Sequence, residues 1–272
     1  MAKEIYVLNL RGEREPFSFQ KVFQSARNVG ASKEIALQIA YQIQKEISPG
    51  IPTEEIFDRI FELLLEKSPR SAIRFNLKRA IEKLGPTGFP FEKFVGKVFS
   101  SEGFEVELNR IIPGYCTDYE IDFLAKKRNL IYIGECKYHQ LVGGRVDLQD
   151  ALANYARFLD IEKGRFLDSN IIYRSILVTN TKFTEKAIRY SICVGVELLG
   201  WKYPPEKGLE KFIEKNQLYP ITILPSINSQ LAKNLIEEKF VLVKDLLGEK
   251  FKKLKIPAKG KILREAKILV HA

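Results

Sequence analysis

Two acidic residues and a lysine in the middle of the chain have the spacing of a metal-assisted hydrolytic site. Glu135 and Lys137 lie two residues apart in the largely apolar run Leu130–Lys137, which predicts a β-strand. Side chains alternate between the two faces of a strand, so Glu135 and Lys137 should project from the same face. Asp122 lies 13 residues before Glu135, and the polar segment Lys126–Asn129 between two extended runs predicts a turn. A hairpin would therefore set Asp122 across from Glu135.

Such an arrangement has a definite chemistry. Two converging carboxylates form a hard-oxygen site that suits Mg²⁺ or Mn²⁺. A lysine beside them can orient a water molecule and offset negative charge on a phosphate during its transfer. One alternative stays open: an acid and a lysine on an apolar strand are costly to bury unless they are paired, so Glu135 could form a purely structural ion pair with Lys137 or a neighbour.

The composition excludes several other classes of site. Hydrophobic residues make up 45% and charged residues 29% of the 272 residues, an ordinary globular balance that excludes a wholly disordered chain. Three scattered cysteines without CxxC spacing exclude a disulfide scaffold and a Cys-rich zinc module. With only two histidines, His139 and His271, a histidine-based triad or a His-rich metal site is also nearly excluded.

The net charge of +10 favours a polyanionic partner, with nucleic acid first and an anionic membrane second. The alternative is a lysine-rich surface that serves only solubility. No run approaches the roughly 20 apolar residues needed to cross a bilayer, and the first residues lack the apolar core of a signal peptide. We therefore expect a soluble cytoplasmic protein that binds DNA and no membrane.

Turn signals and periodicity predict three segments. Residues 1–85 combine a short hairpin with four amphipathic helices, and the Gly- and Pro-containing stretch 85–88 predicts a boundary. Residues 89–205 alternate helices and strands, which predicts a mixed sheet with helices on its faces. Residues 206–272 predict short helices, including one over 244–253. The expected fold class is α/β, as an α+β multidomain chain.

The stretch Tyr119–Asp122 followed by Glu135-Cys136-Lys137 resembles the PD-(D/E)XK nuclease signature. Residues 89–203 also resemble the restriction-endonuclease-like, Mrr-type domain and the archaeal Holliday-junction resolvases. The resemblance implies that Asp122 and Glu135 hold the metal, that the main-chain carbonyl of Cys136 adds a ligand, and that Lys137 positions the attacking water. Glu92, on the first helix, matches the place where this family often supplies one more acid. The implied products are a 5′-phosphate and a 3′-hydroxyl.

Nearby residues have weaker signals. His139 follows the motif and would contact a phosphate or a metal-bound water, or else lie at the surface. Gln149 and Tyr155, on the next predicted helix, would face the site or belong to ordinary helix surface or core. The Cys136 side chain should point away from Glu135 and act as a small buried hydrophobe.

The run Val7–Phe17, together with Lys21, resembles an ATP-cone, the nucleotide-sensing module of ribonucleotide reductases and their repressor. The Lys-Arg pair usual in that module aligns here with Asn9 and Leu10, and Arg11 stands at the usual acidic position. The stretch Ser71–Phe75, with Arg79, fits the last helix of the module. The resemblance implies ATP or dATP as an effector, and the residues expected to contact it are Arg11, Arg14, Phe17, Lys21 and Arg74. The alternative is a degenerate module retained for dimerisation or DNA contact.

The C-terminal segment resembles half of a helix-hairpin-helix unit, in Leu224–Ser226 before a helix and then in Val243–Leu247. Such units offer main-chain amides to phosphates. Eight lysines or arginines against the single acid Glu265 follow from Lys250 onward, a pattern that suits contact with the DNA backbone. A solvated basic face is the competing interpretation.

Taken together, these patterns predict a Mg²⁺- or Mn²⁺-dependent DNA endonuclease, assembled as a homodimer and regulated by nucleotide at its N-terminal segment. The alternative is a non-catalytic, nucleotide-sensing DNA-binding regulator, in which the nuclease-like core only grips DNA. The intact set of Asp122, Glu135 and Lys137 argues against that alternative.

The first prediction concerns the nucleotide. Arg11, Arg14 and Lys21 should supply the positive charge that the missing Lys-Arg pair would otherwise provide, so ATP or dATP should bind with micromolar affinity or weaker. Binding should shift the oligomeric state, provided that the nucleotide favours one assembly over another. Titration with ATP, dATP and ADP, together with mass photometry, measures both effects. An absence of binding at millimolar nucleotide would contradict the prediction, and binding without any change in assembly or cleavage would remove its regulatory part.

Overall fold

The structure is a computed structural model that describes residues 5–9, 12–85, 88–140, 144–164, 168 and 170–270. The strands are β1 Tyr6–Leu8, β2 Arg14–Pro16, β3 Ile51–Pro52, β4 Glu105–Pro113, β5 Asp118–Lys127, β6 Leu130–Lys137, β7 Arg145–Val146, β8 Ile172–Thr179, β9 Lys182–Phe183 and β10 Glu197–Leu199. The helices are α1 Phe19–Asn28, α2 Lys33–Glu46, α3 Thr53–Lys67, α4 Pro69–Glu82, α5 Phe89–Ser101, α6 Leu148–Lys163, α7 Glu185–Val194, α8 Leu209–Asn216, α9 Ser229–Glu237, α10 Glu249–Lys252 and α11 Lys259–Val270. Short 3₁₀ turns span Ile221–Ile223 and Val243–Leu247.

The chain divides into two compact units. The terminal unit comprises Met1–Lys78 and Ala258–Ala272, and the central unit comprises Arg79–Pro257. These limits differ from the three predicted segments, because α11 belongs with the N-terminal residues and residues 206–257 belong with the mixed sheet. In α11, Ile262, Ala266 and Leu269 are fully buried, so this basic helix also contributes to a core.

The terminal unit contains the predicted hairpin and helices. Strands β1 and β2 pair antiparallel, and Ser18 and Ser32 cap α1 and α2 by accepting main-chain N–H groups through their side-chain oxygens. Strand β3 adds a parallel pairing to β1 that the sequence did not reveal, since two residues are too few to show a period.

The central unit is built on a five-stranded sheet in the order β10-β8-β6-β5-β4. Strands β4, β5 and β6 form an antiparallel meander, whereas β6, β8 and β10 are parallel, so helices α6 and α7 serve as crossovers. The mixed strand orientation with helices between strands confirms the predicted α/β, α+β multidomain class.

Strand β6 lies at the centre of the sheet, with helices on both faces. Helix α5 covers one face, where the ring of Phe99 packs against Phe123 and Tyr132. Helix α6 covers the other face, where Ile161 packs in one cluster with Ile133. The end of β6 that carries the predicted motif therefore lies between α5 and α6.

The structure also corrects one predicted helix. The region predicted as one helix over residues 244–253 is a 3₁₀ turn followed by the four-residue α10. Gly248 separates the two, with an extended backbone at φ −75° and ψ 159° that a continuous helix does not allow. Within the described residues, no helix has both the length and the apolar character needed to cross a membrane.

A second prediction follows from the close approach of β5 and β6. A Cβ atom at Gly134 would overlap the ring of Phe123, which is fully buried. Gly134→Ala should therefore lower the free energy of unfolding by about 1–3 kcal/mol, the usual cost of overpacking. Gly260→Ala is the control, because a Cβ atom there meets nothing within 4 Å. Thermal and denaturant unfolding measure both variants; equal stability of Gly134→Ala and the unmodified protein would contradict this packing.

Candidate active site

Asp122 and Glu135 are brought together by the pairing of β5 with β6. The ladder pairs Phe123 with Gly134, and continuing its register by one residue sets Asp122 opposite Glu135. The Oδ2 atom of Asp122 accepts a hydrogen bond of 2.6 Å from the main-chain N–H of Cys136. The Asp122 carboxylate is therefore fastened to the strand that carries Glu135.

Glu135 is held by two cations. Its side chain is only 10% exposed. The Lys137 Nζ atom lies 3.1 Å from Oε1 of Glu135, and the Arg157 guanidinium donates a hydrogen bond to Oε2. Lys137 also lies 3.9 Å from a carboxylate oxygen of Asp150. Glu135 and Lys137 thus share the face that is turned toward α6, and the ion pair that the sequence left open is formed.

Asp122 is in a setting that opposes its negative charge. Burial, and next the neighbouring charge of Glu135, raise the pKa of Asp122 to about 7, while the hydrogen bond from the Cys136 N–H acts in the opposite direction. The charge of Glu92 raises this pKa further, and Arg157 lowers it. A carboxylate whose ionisation is opposed in this way gains from any cation that binds beside it.

Glu92 lies in the first turn of α5 and reaches the same end of the sheet. Its Oε2 atom accepts a hydrogen bond of 3.0 Å from the side-chain amide of Asn109. Burial raises the pKa of Glu92, the Asn109 hydrogen bond lowers it, and the charges of Glu120 and Glu135 raise it. Glu92 is therefore within electrostatic reach of the Asp122–Glu135 pair.

Asn109 is a site residue that the sequence analysis missed. It interrupts the ladder between β4 and β5 at the position facing Asp122, between the pairs of Leu108 with Phe123 and Arg110 with Ile121. Its φ of 52° lies in the left-handed region, which asparagine tolerates better than most residues. An asparagine within a strand pattern was the signal that could have found it.

Helix α6 has a row of polar side chains that contact the sheet. Asp150, Asn154 and Arg157 follow one another at spacings of four and three residues, which places them on one face of the helix. Asp150 approaches Lys137, Arg157 binds Glu135, and the Asn154 side chain donates a hydrogen bond of 2.8 Å to Ser175 on β8. The spacing of these three polar residues was the sequence signal that could have indicated them.

The two α6 residues that were considered for the site lie elsewhere. Gln149 is exposed, and its main-chain N–H donates to the side chain of Asp147, the N-cap of α6. The ring of Tyr155 packs edge-on against Tyr190 in a separate hydrophobic cluster. Gln149 is therefore a helix-surface residue and Tyr155 a core-packing residue.

The chain beyond Lys137 is anchored through Asn180. The Asn180 side chain accepts from the main-chain N–H of His139 at 2.9 Å and donates to the His139 carbonyl at 2.7 Å. Asn180 is fully buried, so this two-point contact fixes the exit of β6 to the turn after β8. Contact of the His139 ring with phosphate or metal-bound water stays a prediction.

Cys136 directly follows Glu135 on β6, and its thiol has no role as a nucleophile. Burial, and then the charges of Asp122, Glu92 and Glu135, raise the pKa of its thiol well above the usual range, so the thiol stays protonated. Only its main-chain carbonyl remains as the predicted ligand.

The chemistry of the donor set fits Mg²⁺. In the part of the chain that the structure describes, no group of three or more His, Cys, Asp or Glu side chains is arranged to hold a metal ion. Mg²⁺ does not require such a cage, because it usually binds one or two carboxylates and keeps several waters. The pair of Asp122 and Glu135 meets that lower requirement.

Arg14 and Lys21, two of the residues predicted to contact nucleotide, each have a partner in the terminal unit. The guanidinium carbon of Arg14 lies 4.7 Å from the ring centroid of Tyr6, whereas Lys21 lies 3.7 Å from a carboxylate oxygen of Glu15. Because adjacent residues of a strand point to opposite faces, Arg14 and Glu15 direct their side chains to different sides of β2. The structure thus gives Arg14 and Lys21 separate neighbours.

Phe17 and Arg74, two more residues of the predicted nucleotide set, also have contacts within the terminal unit. Phe17 packs against the hydrophobic core of the terminal unit. The Arg74 guanidinium lies beside Gly30, within 3.3 Å of where a Cβ atom would be. Arg11 lies outside the described residues.

Comparison with known proteins places the chain in a family. An uncharacterised protein of Archaeoglobus fulgidus is 36% identical over 181 residues, an alignment that covers 65% of this chain and 99% of the relative. Residues 219–270 match the family model AF1548-like, C-terminal. The chain belongs to the AF1548-like family. The crystal structure of AF1548, a protein of unknown function, aligns with a TM-score of 0.59 at 33% identity and covers 68% of this chain and 100% of AF1548.

More distant solved structures add no argument about this AF1548-like protein. Protein VC1899 from Vibrio cholerae aligns at 15% identity over 73% of this chain and 55% of its own, with a TM-score of 0.32. The MspJI restriction endonuclease in complex with a 27-mer oligonucleotide aligns at 11% identity over 86% of this chain and 48% of its own, also with a TM-score of 0.32.

A third prediction concerns the charge of Asp122 in metal-free buffer. Its pKa of about 7 lies above the value of about 3.9 for an unfolded aspartate, so the folded chain binds the extra proton between these values. Asp122 should therefore make the protein less stable as the pH rises from about 4 to about 7, with the full penalty above 7. Asp122→Asn removes the charge and should raise the melting temperature at pH 8 but change it little at pH 4.

The control for this prediction is Asp118→Asn, the same change at an exposed aspartate on the same strand. Melting curves in the presence of a chelator, recorded from pH 4 to pH 8, give the comparison. A difference between Asp122→Asn and the unmodified protein that does not change with pH would contradict the raised pKa.

Proposed function

We propose that this protein is a metal-dependent DNA endonuclease of the PD-(D/E)XK type, which hydrolyses phosphodiester bonds. The observation that carries the proposal is the pair of Asp122 and Glu135, set opposite each other at a strand end with the ionisation of Asp122 opposed. Two neighbouring carboxylates lower the stability of the fold unless a cation offsets their negative charge. Ionisable groups with such strongly shifted pKa values concentrate at functional sites.

The residues have distinct proposed roles. Asp122 and Glu135 would hold Mg²⁺ or Mn²⁺, with the carbonyl of Cys136 as a further ligand and Glu92 completing or supporting the set. Mg²⁺ or Mn²⁺, when bound, would supply Lewis-acid stabilisation of the charge that develops on the phosphate. Lys137, 3.1 Å from Glu135, would orient the attacking water and offset negative charge on the phosphate. The expected products are a 5′-phosphate and a 3′-hydroxyl.

A purely structural ion pair accounts less well for the same residues. Glu135 already has two cationic partners, Lys137 and Arg157, which compensate its negative charge. A structural ion pair would therefore need neither Asp122 nor a metal. Asp122 then adds a carboxylate that burial and Glu135 both disfavour. Buried ion pairs contribute little net stability in general, so stability gives no reason to keep this arrangement.

DNA as the substrate is supported by charge. The protein has a net charge of +10. In the central unit, which carries the candidate site, the exposed lysines include Lys252, Lys253 and Lys255 after α9. Backbone phosphates are the polyanion that such a surface suits.

Regulation by nucleotide at the terminal unit is a separate part of the proposal. Arg14 lies over the Tyr6 ring and Lys21 pairs with Glu15, so a triphosphate would compete with these contacts for both cations. The ATP, dATP and ADP titration described above tests this part separately from cleavage.

A fourth prediction tests the catalytic site. Lys137→Ala should leave DNA affinity nearly unchanged but reduce cleavage by at least about 100-fold, because a positioned proton-transfer or water-orienting group contributes about 10²–10⁴. Asp122→Ala should lose most Mn²⁺ binding in calorimetry. The substrates are plasmid, forked and four-way-junction DNA with Mg²⁺ or Mn²⁺, and Lys186→Ala, an exposed lysine on α7, is the control.

Two results would reject the proposed function. Equal Mn²⁺ binding by Asp122→Ala and the unmodified protein would remove the metal assignment. Undiminished cleavage by Lys137→Ala would place the activity elsewhere or in a contaminant.

A further inference from the structure

Arg157 contacts the centre of the candidate site from a helix that the sequence motif does not include. Its guanidinium donates to Oε2 of Glu135, and its side chain is 24% exposed against 10% for Glu135. The Nζ atom of Lys137 lies 3.1 Å from Oε1, the other carboxylate oxygen of Glu135. Both oxygens of a carboxylate assigned to metal binding are therefore engaged by cations of the protein itself.

The position of Arg157 is set by the anchoring of α6. Asp147 caps the helix and forms a reciprocal capping box with Asp150, and Asn154 is tied to Ser175 on β8. The guanidinium carbon of Arg157 lies 6.0 Å from the ring centroid of Tyr119. The Tyr119 ring therefore limits the space around the guanidinium on that side. Arg157 therefore approaches Glu135 from a fixed helix and not from a mobile surface loop.

The two cations beside Glu135 are not equivalent in chemistry. Lys137 is part of the (D/E)-x-K pattern and lies on the same strand as Glu135. Arg157 has a planar fork of donors that matches two oxygens of a phosphate as well as it matches a carboxylate, and it stays charged at all working pH values. The Arg157 guanidinium can therefore leave the Glu135 carboxylate for a phosphate oxygen. Such an exchange suits a site in which Glu135 binds a metal and the substrate brings a phosphate.

We propose that Arg157 competes with the divalent cation for Glu135 and, when it gives up that carboxylate, binds a phosphate oxygen of the DNA substrate. This inference rests on the proposed nuclease function. It makes Arg157 a substrate-contacting residue of the site and not only a structural partner of Glu135. It also requires that metal binding and cleavage respond in opposite directions when Arg157 is removed.

The test uses the full-length protein and Mn²⁺ alone as the first probe. Arg157→Gln keeps much of the side-chain length and one amide donor but removes the charge. Calorimetry should show Mn²⁺ binding about 10-fold tighter than in the unmodified protein, the order expected when one competing charged hydrogen bond is lost. Cleavage of DNA at saturating Mn²⁺ should fall by at least about 10-fold, because the phosphate loses a charged partner.

Arg157→Lys separates charge from geometry. Lysine keeps the positive charge but not the planar fork, so cleavage should recover in part relative to Arg157→Gln. Arg174→Ala is the control, since Arg174 forms a more exposed ion pair, at 3.0 Å, with Glu197, which is not a residue of the candidate site. This control should change neither Mn²⁺ affinity nor cleavage.

The outcomes distinguish failure of this inference from failure of the function. If the unmodified protein binds Mn²⁺ and cleaves DNA but Arg157→Gln binds Mn²⁺ equally or more weakly, Arg157 is structural and the inference is overturned while the function stands. Unchanged cleavage by Arg157→Gln also overturns it. If the unmodified protein neither binds Mn²⁺ nor cleaves any substrate, the proposed function fails and the inference fails with it. If Arg157→Gln is unfolded, the inference is judged on Arg157→Lys, for which cleavage equal to that of the unmodified protein overturns it.

Discussion

The candidate site depends on one hydrogen bond, from the Cys136 N–H to the carboxylate of Asp122. Through it, β5 places an acid against the strand that already carries Glu135, and the two negative charges are forced to share a partly buried place. Like charges in such a setting raise the cost of ionisation. Lys137 and Arg157 offset part of that cost at Glu135, whereas the charge of Glu92 adds to it at Asp122. The groups around the pair therefore act on its charge in both directions.

These groups come from separate elements of the central unit. Lys137 comes from the same strand as Glu135, and Arg157 comes from α6 on one face of the sheet. On the other side, Glu92 of α5 is held by Asn109, whose left-handed backbone interrupts β4 beside Asp122. Unfavourable charge and an unusual backbone conformation within a well-packed sheet are the kinds of local cost that folds carry at functional sites.

The two compact units separate the proposed chemistry from the proposed regulation. Every residue of the candidate site belongs to the central unit, whereas the residues predicted to contact nucleotide belong to the terminal unit. A nucleotide effect on cleavage would therefore be a coupling between two distinct sites, which needs two states that both ligands distinguish.

The sequence by itself determined the fold class, the hairpin over β5 and β6, and the placement of Glu135 and Lys137 on one face, because these follow from strand alternation and local turn chemistry. Partners distant in the chain were decided only by the tertiary structure. Arg157 reaches Glu135 from 22 residues away and Asn109 reaches Glu92 from 17 residues away. The physical reason is that strand order and helix packing set such contacts, and the short-range periodicity of the chain does not encode them.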